Sequence, residues 1–287
     1  MRFLLPCLAA LSLTTACQRG QQEPENGAPQ AVANDANDPA ALARRFSPLL
    51  RGVWVKADYV AELGRSRSPF LAAGQLRDVV ALALAPERRR GDSLLVEANL
   101  NNHEAEQFRL YFRPGQRADA LATSRVDYER PRGFYELAVT VEGADTTLHW
   151  QHYSRNARLL ETTVFRRVPG LAATAGSAGE AVPRVAHAQV LAGSYFATDS
   201  LGRHHRVRLR PDGTVQGLPG VRAYRAATDF VVTLANNRDN LVLNPGSRRP
   251  QLCTYGFRGD TLRVYAARIV EPELRQGRLR YTLVRQP

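Results

Sequence analysis

The chain runs to 287 residues, with 39 Lys and Arg against 27 Asp and Glu, for a formal charge of +12. Arginine supplies nearly all of that charge, since Lys56 is the only lysine. The three cysteines and the lack of a phosphate-binding glycine loop or a His-Glu-x-x-His motif argue against a disulfide-stapled framework, a P-loop nucleotide site and a zinc protease.

Residues 1–17 have the form of an export signal. Arg2 is followed by an apolar run too short to span a bilayer, then by small residues up to Cys17 and a polar stretch beyond it. The pattern is similar to a bacterial lipoprotein signal, with Cys17 as the lipidated residue. It departs from that pattern at one place, because Leu13 lies four residues before the cysteine and Thr14 stands where Leu is usual. Cys7 follows Arg2 too closely to compete. Gln18, in place of Asp after the cysteine, favours sorting to an outer membrane. Two or more acyl chains on Cys17 would anchor the chain stably. Processing leaves Cys253 as the one other cysteine, expected as a small buried hydrophobe.

Residues 18–46 are rich in Gln, Asn, Ala, Pro and Asp and read as a disordered tether, with an end-to-end distance of roughly 30 Å as a flexible coil. A second run of small residues, 169–186, reads as a linker. It separates a first β-domain at 47–168 from a second at 187–287. Within it, Ala175-Gly176-Ser177-Ala178-Gly179 has the first Gly displaced from a nucleophile elbow and no strand before it, so it reads as spacer.

Both domains read as antiparallel strands. Apolar residues alternate in Phe108–Arg113, in Phe134–Val141 and in His205–Arg210, and no segment sustains a 3.6-residue period. Pro211-Asp212-Gly213-Thr214 and Arg258-Gly259-Asp260-Thr261 supply hairpin turns, and Ser68-Pro69 predicts a short helix over 68–73. The two domains share one plan: Leu50-Arg51-Gly52-Val53-Trp54 opens the first and Leu191-Ala192-Gly193-Ser194-Tyr195 the second, and each closes with a Gly/Asp turn and final strands. About eight strands per domain favour closure into a meander barrel, which removes exposed edges.

The Gly-x-Trp/Tyr opening, the Pro-Asp-Gly-Thr hairpin and Gly259-Asp260-Thr261-Leu262-Arg263-Val264-Tyr265 resemble the lipocalin-like domains of bacterial lipoproteins, including those of the Bacteroidetes. The resemblance implies an all-β fold of two tandem antiparallel barrels behind a tether, with room for a small apolar ligand in a barrel, and assigns no reaction. A related group linked to copper stress carries a Cys-x-x-Cys pair that is absent here.

Three sets of side chains are candidates for function. Trp54, Phe108, Leu110, Phe112, Leu148 and Trp150 point inward by alternation and either fill the first barrel or line a cavity, with His152 on the same face. His204, Arg206, Arg208 and Arg210 form a stripe on the wet face of one strand. They lie in the more basic domain, where 187–287 holds 16 Arg against 7 Asp and Glu, while 47–168 holds 18 Lys and Arg against 15. Such a stripe suits an anionic envelope component such as lipid headgroups, lipopolysaccharide phosphates or acidic glycans, and an exported protein meets little nucleic acid. His149 and His152, three apart on a strand, face opposite sides and make a poor metal pair; His204-His205 fails likewise, and Asn102-His103-Glu104 lacks a second His. No catalytic residue, metal or cofactor is expected. The expected role is a lipid-anchored, non-enzymatic binding or scaffold lipoprotein of the cell envelope. The alternatives are a hydrolase or isomerase using His152 at a barrel mouth, and an adaptor that docks through the arginine stripe.

Overall fold

The computed structural model describes residues 37–101, 104–127, 133–230 and 237–287; Cys17, the rest of the export signal, the tether up to residue 36 and His103 lie outside the described residues. Among the described residues no helix is long and apolar enough to cross a membrane.

The fold is all-β with two eight-stranded antiparallel sheets. The first, of β1 (Gly52–Lys56), β2 (Val79–Leu84), β3 (Ser93–Leu100), β4 (Ala105–Pro114), β5 (Ala120–Asp127), β6 (Gly133–Glu142), β7 (Asp145–Tyr153) and β8 (Leu159–Arg167), is a closed barrel in sequence order. Closure comes from β8 returning to β1, with Trp54 opposite Arg167 and Lys56 opposite Phe165. The second, of β9 (Gly193–Asp199), β10 (His204–Leu209), β11 (Val215–Gln216), β12 (Tyr224–Ala226), β13 (Asn240–Leu243), β14 (Gln251–Arg258), β15 (Thr261–Val270) and β16 (Glu273–Arg285), keeps the same cyclic order but opens between β11 and β12. Among the described residues, the backbone crosses that opening at the Thr214–Ala223 bridge and its flanking bonds, Val215 N to Arg222 O (2.8 Å) and Tyr224 N to Gly213 O (2.7 Å).

The shared opening motif has a physical role in both barrels. Trp54 Nε1 donates to Leu50 O at 2.9 Å, and Tyr195 Oη donates to Leu191 O at 2.7 Å. An arginine from the last strand covers each ring: Arg167 bonds Leu49 O (2.8 Å) and lies 4.7 Å from the Trp54 ring, while Arg285 bonds Val190 O (3.0 Å) and lies 5.4 Å from the Tyr195 ring. Gly52 (φ +132°) and Gly193 (φ +157°) turn the chain from helix into strand at backbone angles that other residues rarely adopt.

Two segments read as spacer turn out to be structural. Helix α1 (Pro39–Leu50) begins inside the stretch expected as tether: Asp38 caps it by accepting from Ala40 N and Ala41 N, both at 3.0 Å. Leu42, Ala43, Phe46 and Leu50 are buried in the same core as Trp54, so α1 packs into the first barrel. The second is the 169–186 run, which from Ser177 becomes helix α4 (Ser177–Ala186) and continues as a π-helical turn, His187–Leu191. Ala178, Ala181, Val182, Val185 and Ala186 are buried between the outer faces of β1 and β2 (Val53, Val55, Val80, Ala81, Ala83) and the interior of the second barrel. Small side chains, which resemble a flexible linker in composition, are what allow a helix to lie close against a sheet.

The two barrels therefore share one apolar core. Helix α2 (Ala57–Ser66), with Tyr59 and Leu63 buried, joins it, and Arg67 Nη1 donates to Gly259 O at 2.9 Å. Helix α3 (Pro69–Ala72) is capped by Ser68 as Ser-Pro predicts, with Leu71 N to Ser68 Oγ at 3.1 Å, and Phe70 N reaches Asp239 Oδ1 at 2.9 Å. Cys253 is a free, buried thiol whose pKa burial pushes up to about 11.

Candidate functional site

The interior of the first barrel is packed. Trp54, Phe108, Leu110, Phe112, Leu148 and Trp150 are all buried and belong to one cluster with Leu42, Phe46 and Leu50 of α1. The cavities described below are lined by other residues, so these six act as core. An eight-stranded barrel has an interior just wide enough for side chains to fill.

At the end of this barrel away from α1, strand termini bring together a polar cluster that local sequence did not announce. Phe108, Trp150, Tyr135 and His152 form a ladder of rings, with centroid separations of 5.1, 5.1 and 4.5 Å along it. The Arg125 guanidinium lies 4.8 Å from the Tyr135 ring, with Nε 3.0 Å from Glu106 Oε1 and Nη2 2.9 Å from Asp78 Oδ1. Burial pushes the Asp78 carboxyl up, but its bond to Arg125 prevails and holds it below the usual range. Burial likewise lowers the Lys56 ammonium, which donates to Arg77 O. His152 Nε2 stands 3.0 Å from Asp127 Oδ2, in side chains 11% and 9% exposed, close but not as an aligned hydrogen bond. A carboxylate beside an imidazole can orient and charge the ring for proton transfer. Here the ring is also stacked on Tyr135 and shielded, which suits a packed plug in the mouth. His149 bonds Thr147 Oγ1 (3.1 Å) on the opposite face, and the described residues contain no group of three or more metal-ligating side chains.

The arginine stripe lies where alternation placed it. His204, Arg206, Arg208 and Arg210 are exposed while Val207 and Leu209 are buried. The structure divides the four. His204 Nδ1 and Thr198 Oγ1 are 3.1 Å apart, and Arg210 Nη2 reaches Gln216 Oε1 at 3.4 Å. Arg206 and Arg208 face a groove of about 310 Å³ over β9, β10 and β11. Its exposed aromatic residue is Phe196, which pairs with Arg206 across the strands, with the guanidinium 5.7 Å from the ring. Phe196 and its neighbour Val284 are 47% and 44% exposed. The signal for Phe196 was present in the sequence, because in Ser194-Tyr195-Phe196-Ala197 alternation sends Phe196 to the face opposite Tyr195.

No protein-family model matches this chain, and no curated protein matches it.

Proposed function

We propose that this protein is a non-enzymatic lipoprotein of the cell envelope, held by lipid on Cys17 and most naturally at an outer membrane, that binds phosphate-bearing headgroups through its second barrel. The observation that carries the reading is the groove in which Arg206 and Arg208 flank the exposed Phe196. Guanidiniums make paired bonds to phosphate, and an exposed ring beside them suits a ligand with an apolar part. The packed first barrel supports binding on a surface in preference to carriage of an apolar ligand inside that barrel.

The test is sedimentation of the chain from residue 18 with phosphatidylcholine vesicles, with and without phosphatidylglycerol, at low and high salt. Binding should need the anionic lipid and weaken with salt. The double change Arg206→Glu with Arg208→Glu should abolish it; unchanged sedimentation would overturn the reading. The His152–Asp127 contact favours a second reading, a hydrolase acting at the first barrel's mouth. Turnover of p-nitrophenyl esters that disappears in His152→Gln would support it, and no turnover in the unaltered protein would remove it.

A further inference from the structure

The open mouth of the second barrel, at the end away from α4, holds a small cationic cavity of about 120 Å³ that the preceding reading does not use. One wall is the β9–β10 turn. There the Asp199 carboxylate accepts from Leu201 N (2.8 Å), Arg203 N (3.0 Å) and Arg203 Nε (2.7 Å), and stands 3.5 Å from His205 Nε2. Asp199 is thus spent on shaping the turn and pinning Arg203 and His205 at the cavity.

The opposite wall comes from β16. Its pairing with β15 passes from Tyr281 opposite Val264 to Leu279 opposite Tyr265, which leaves Arg280 as the extra residue of a β-bulge. A bulge re-aims the side chain it carries. Arg280 Nη1 reaches Gln251 Oε1, while its Nε is buried with no hydrogen-bond partner. His205 Nε2 is also buried without an aligned partner. Arg278 and Tyr281 complete the lining, so three guanidiniums face one carboxylate that is already occupied.

A buried donor left without an acceptor is costly, and Arg280 Nε in that state, on a cavity lined by three guanidiniums, marks a place for an acceptor from outside. The volume far exceeds the ~10–15 Å³ that one water needs. We propose that this cavity binds a tetrahedral oxyanion, namely phosphate, either free or as the monoester terminus of a larger molecule. Arg280 Nε and the Arg278 guanidinium would donate to its oxygens.

The proposal goes beyond the headgroup groove and is tested separately from it. The chain from residue 18 is titrated with inorganic phosphate, and in a second arm with glycerol 3-phosphate, by calorimetry. Phosphate should bind, and Arg280→Gln should weaken it by about tenfold or more, as expected for loss of a charge-assisted bond. Arg278 is exposed, so Arg278→Gln keeps the test valid should Arg280→Gln fail to fold, and it should weaken binding several-fold. Tighter binding of glycerol 3-phosphate would identify the monoester as the natural form, and tighter binding of inorganic phosphate the free ion. To keep the two sites apart, the titrations are repeated in the Arg206→Glu, Arg208→Glu background, where the groove no longer contributes and the binding that depends on Arg278 and Arg280 should persist. Absence of binding in the unaltered protein, or equal binding in folded Arg278→Gln and Arg280→Gln, would overturn the proposal.

Discussion

At the mouth of the first barrel Arg125 lies between Asp78 and Glu106 and His152 lies against Asp127; at the mouth of the second, Arg203, Arg278 and Arg280 share Asp199 alone. Both mouths use arginine, histidine and aspartate, yet in the first the charges close on one another and in the second positive charge is left over. Closure differs in the same sense. Continuous strand pairing completes the first barrel, whereas the opening between β11 and β12 of the second is crossed by a single bridge with its flanking backbone bonds and by the side chains of Tyr224 and His187. The Ala226 N–H can only donate, so it bonds His187 Nε2 (3.0 Å) as acceptor, and the proton on Nδ1 is donated to Pro211 O (3.3 Å). The first barrel is the better-sealed scaffold, and the surplus charge sits on the second.

The largest effect should come from opening the first mouth. Arg125→Met strands Asp78 and Glu106 and should cost about 3 kcal/mol in urea denaturation, the lower end for a broken buried pair because Asp78 is about half exposed. The matching change Arg280→Met strands no carboxylate and should cost about 1 kcal/mol or less. A similar loss from both would erase the contrast.

Acid should act on the second barrel. Burial lowers the His187 pKa to about 4 from 6.5. Between those values the unfolded chain takes up a proton that the folded one refuses, so stability is full above about pH 6.5 and falls as the pH drops towards 4, by about 3 kcal/mol in all. Urea midpoints at both ends of that window should differ less in His187→Gln than in the unaltered protein; an equal difference would take the staple role from His187.

Smaller effects should come from the shared motif. Trp54→Phe and Tyr195→Phe each remove a buried bond to a helix-end carbonyl and should cost about 1–2 kcal/mol. Tyr195→Phe should cost more, because Arg285 Nη2 also donates to its hydroxyl, at 2.8 Å. The smallest effect on stability, within about 0.5 kcal/mol, should belong to Arg206→Glu with Arg208→Glu, whose side chains are exposed. That variant therefore isolates binding from folding.

Much of the architecture was legible in advance. Strict alternation in His205–Arg210 predicted which side chains of β10 would be wet, and the two Gly-x-aromatic openings predicted two copies of one barrel. The helices were less legible. In α4 the buried face is made largely of alanine and valine in a Pro- and Gly-containing stretch, and α1 buries Leu42, Ala43, Phe46 and Leu50 at the end of a run rich in small and polar residues, so composition pointed to spacer in both. Cys17 and the tether up to residue 36 lie outside the described residues, so their roles rest on the sequence pattern.

By itself, then, the sequence determined the strands, their wet and dry faces, the turns and the repeated plan, because these depend on periodicity and on the conformational preferences of neighbouring residues. Only the tertiary structure decided which charges meet. Asp78, Glu106 and Arg125 come from three different strands or strand ends, and Arg280 turns toward its cavity because a bulge in β15–β16 pairing leaves it unmatched. Register between strands depends on the packing of whole faces, and no local pattern records it.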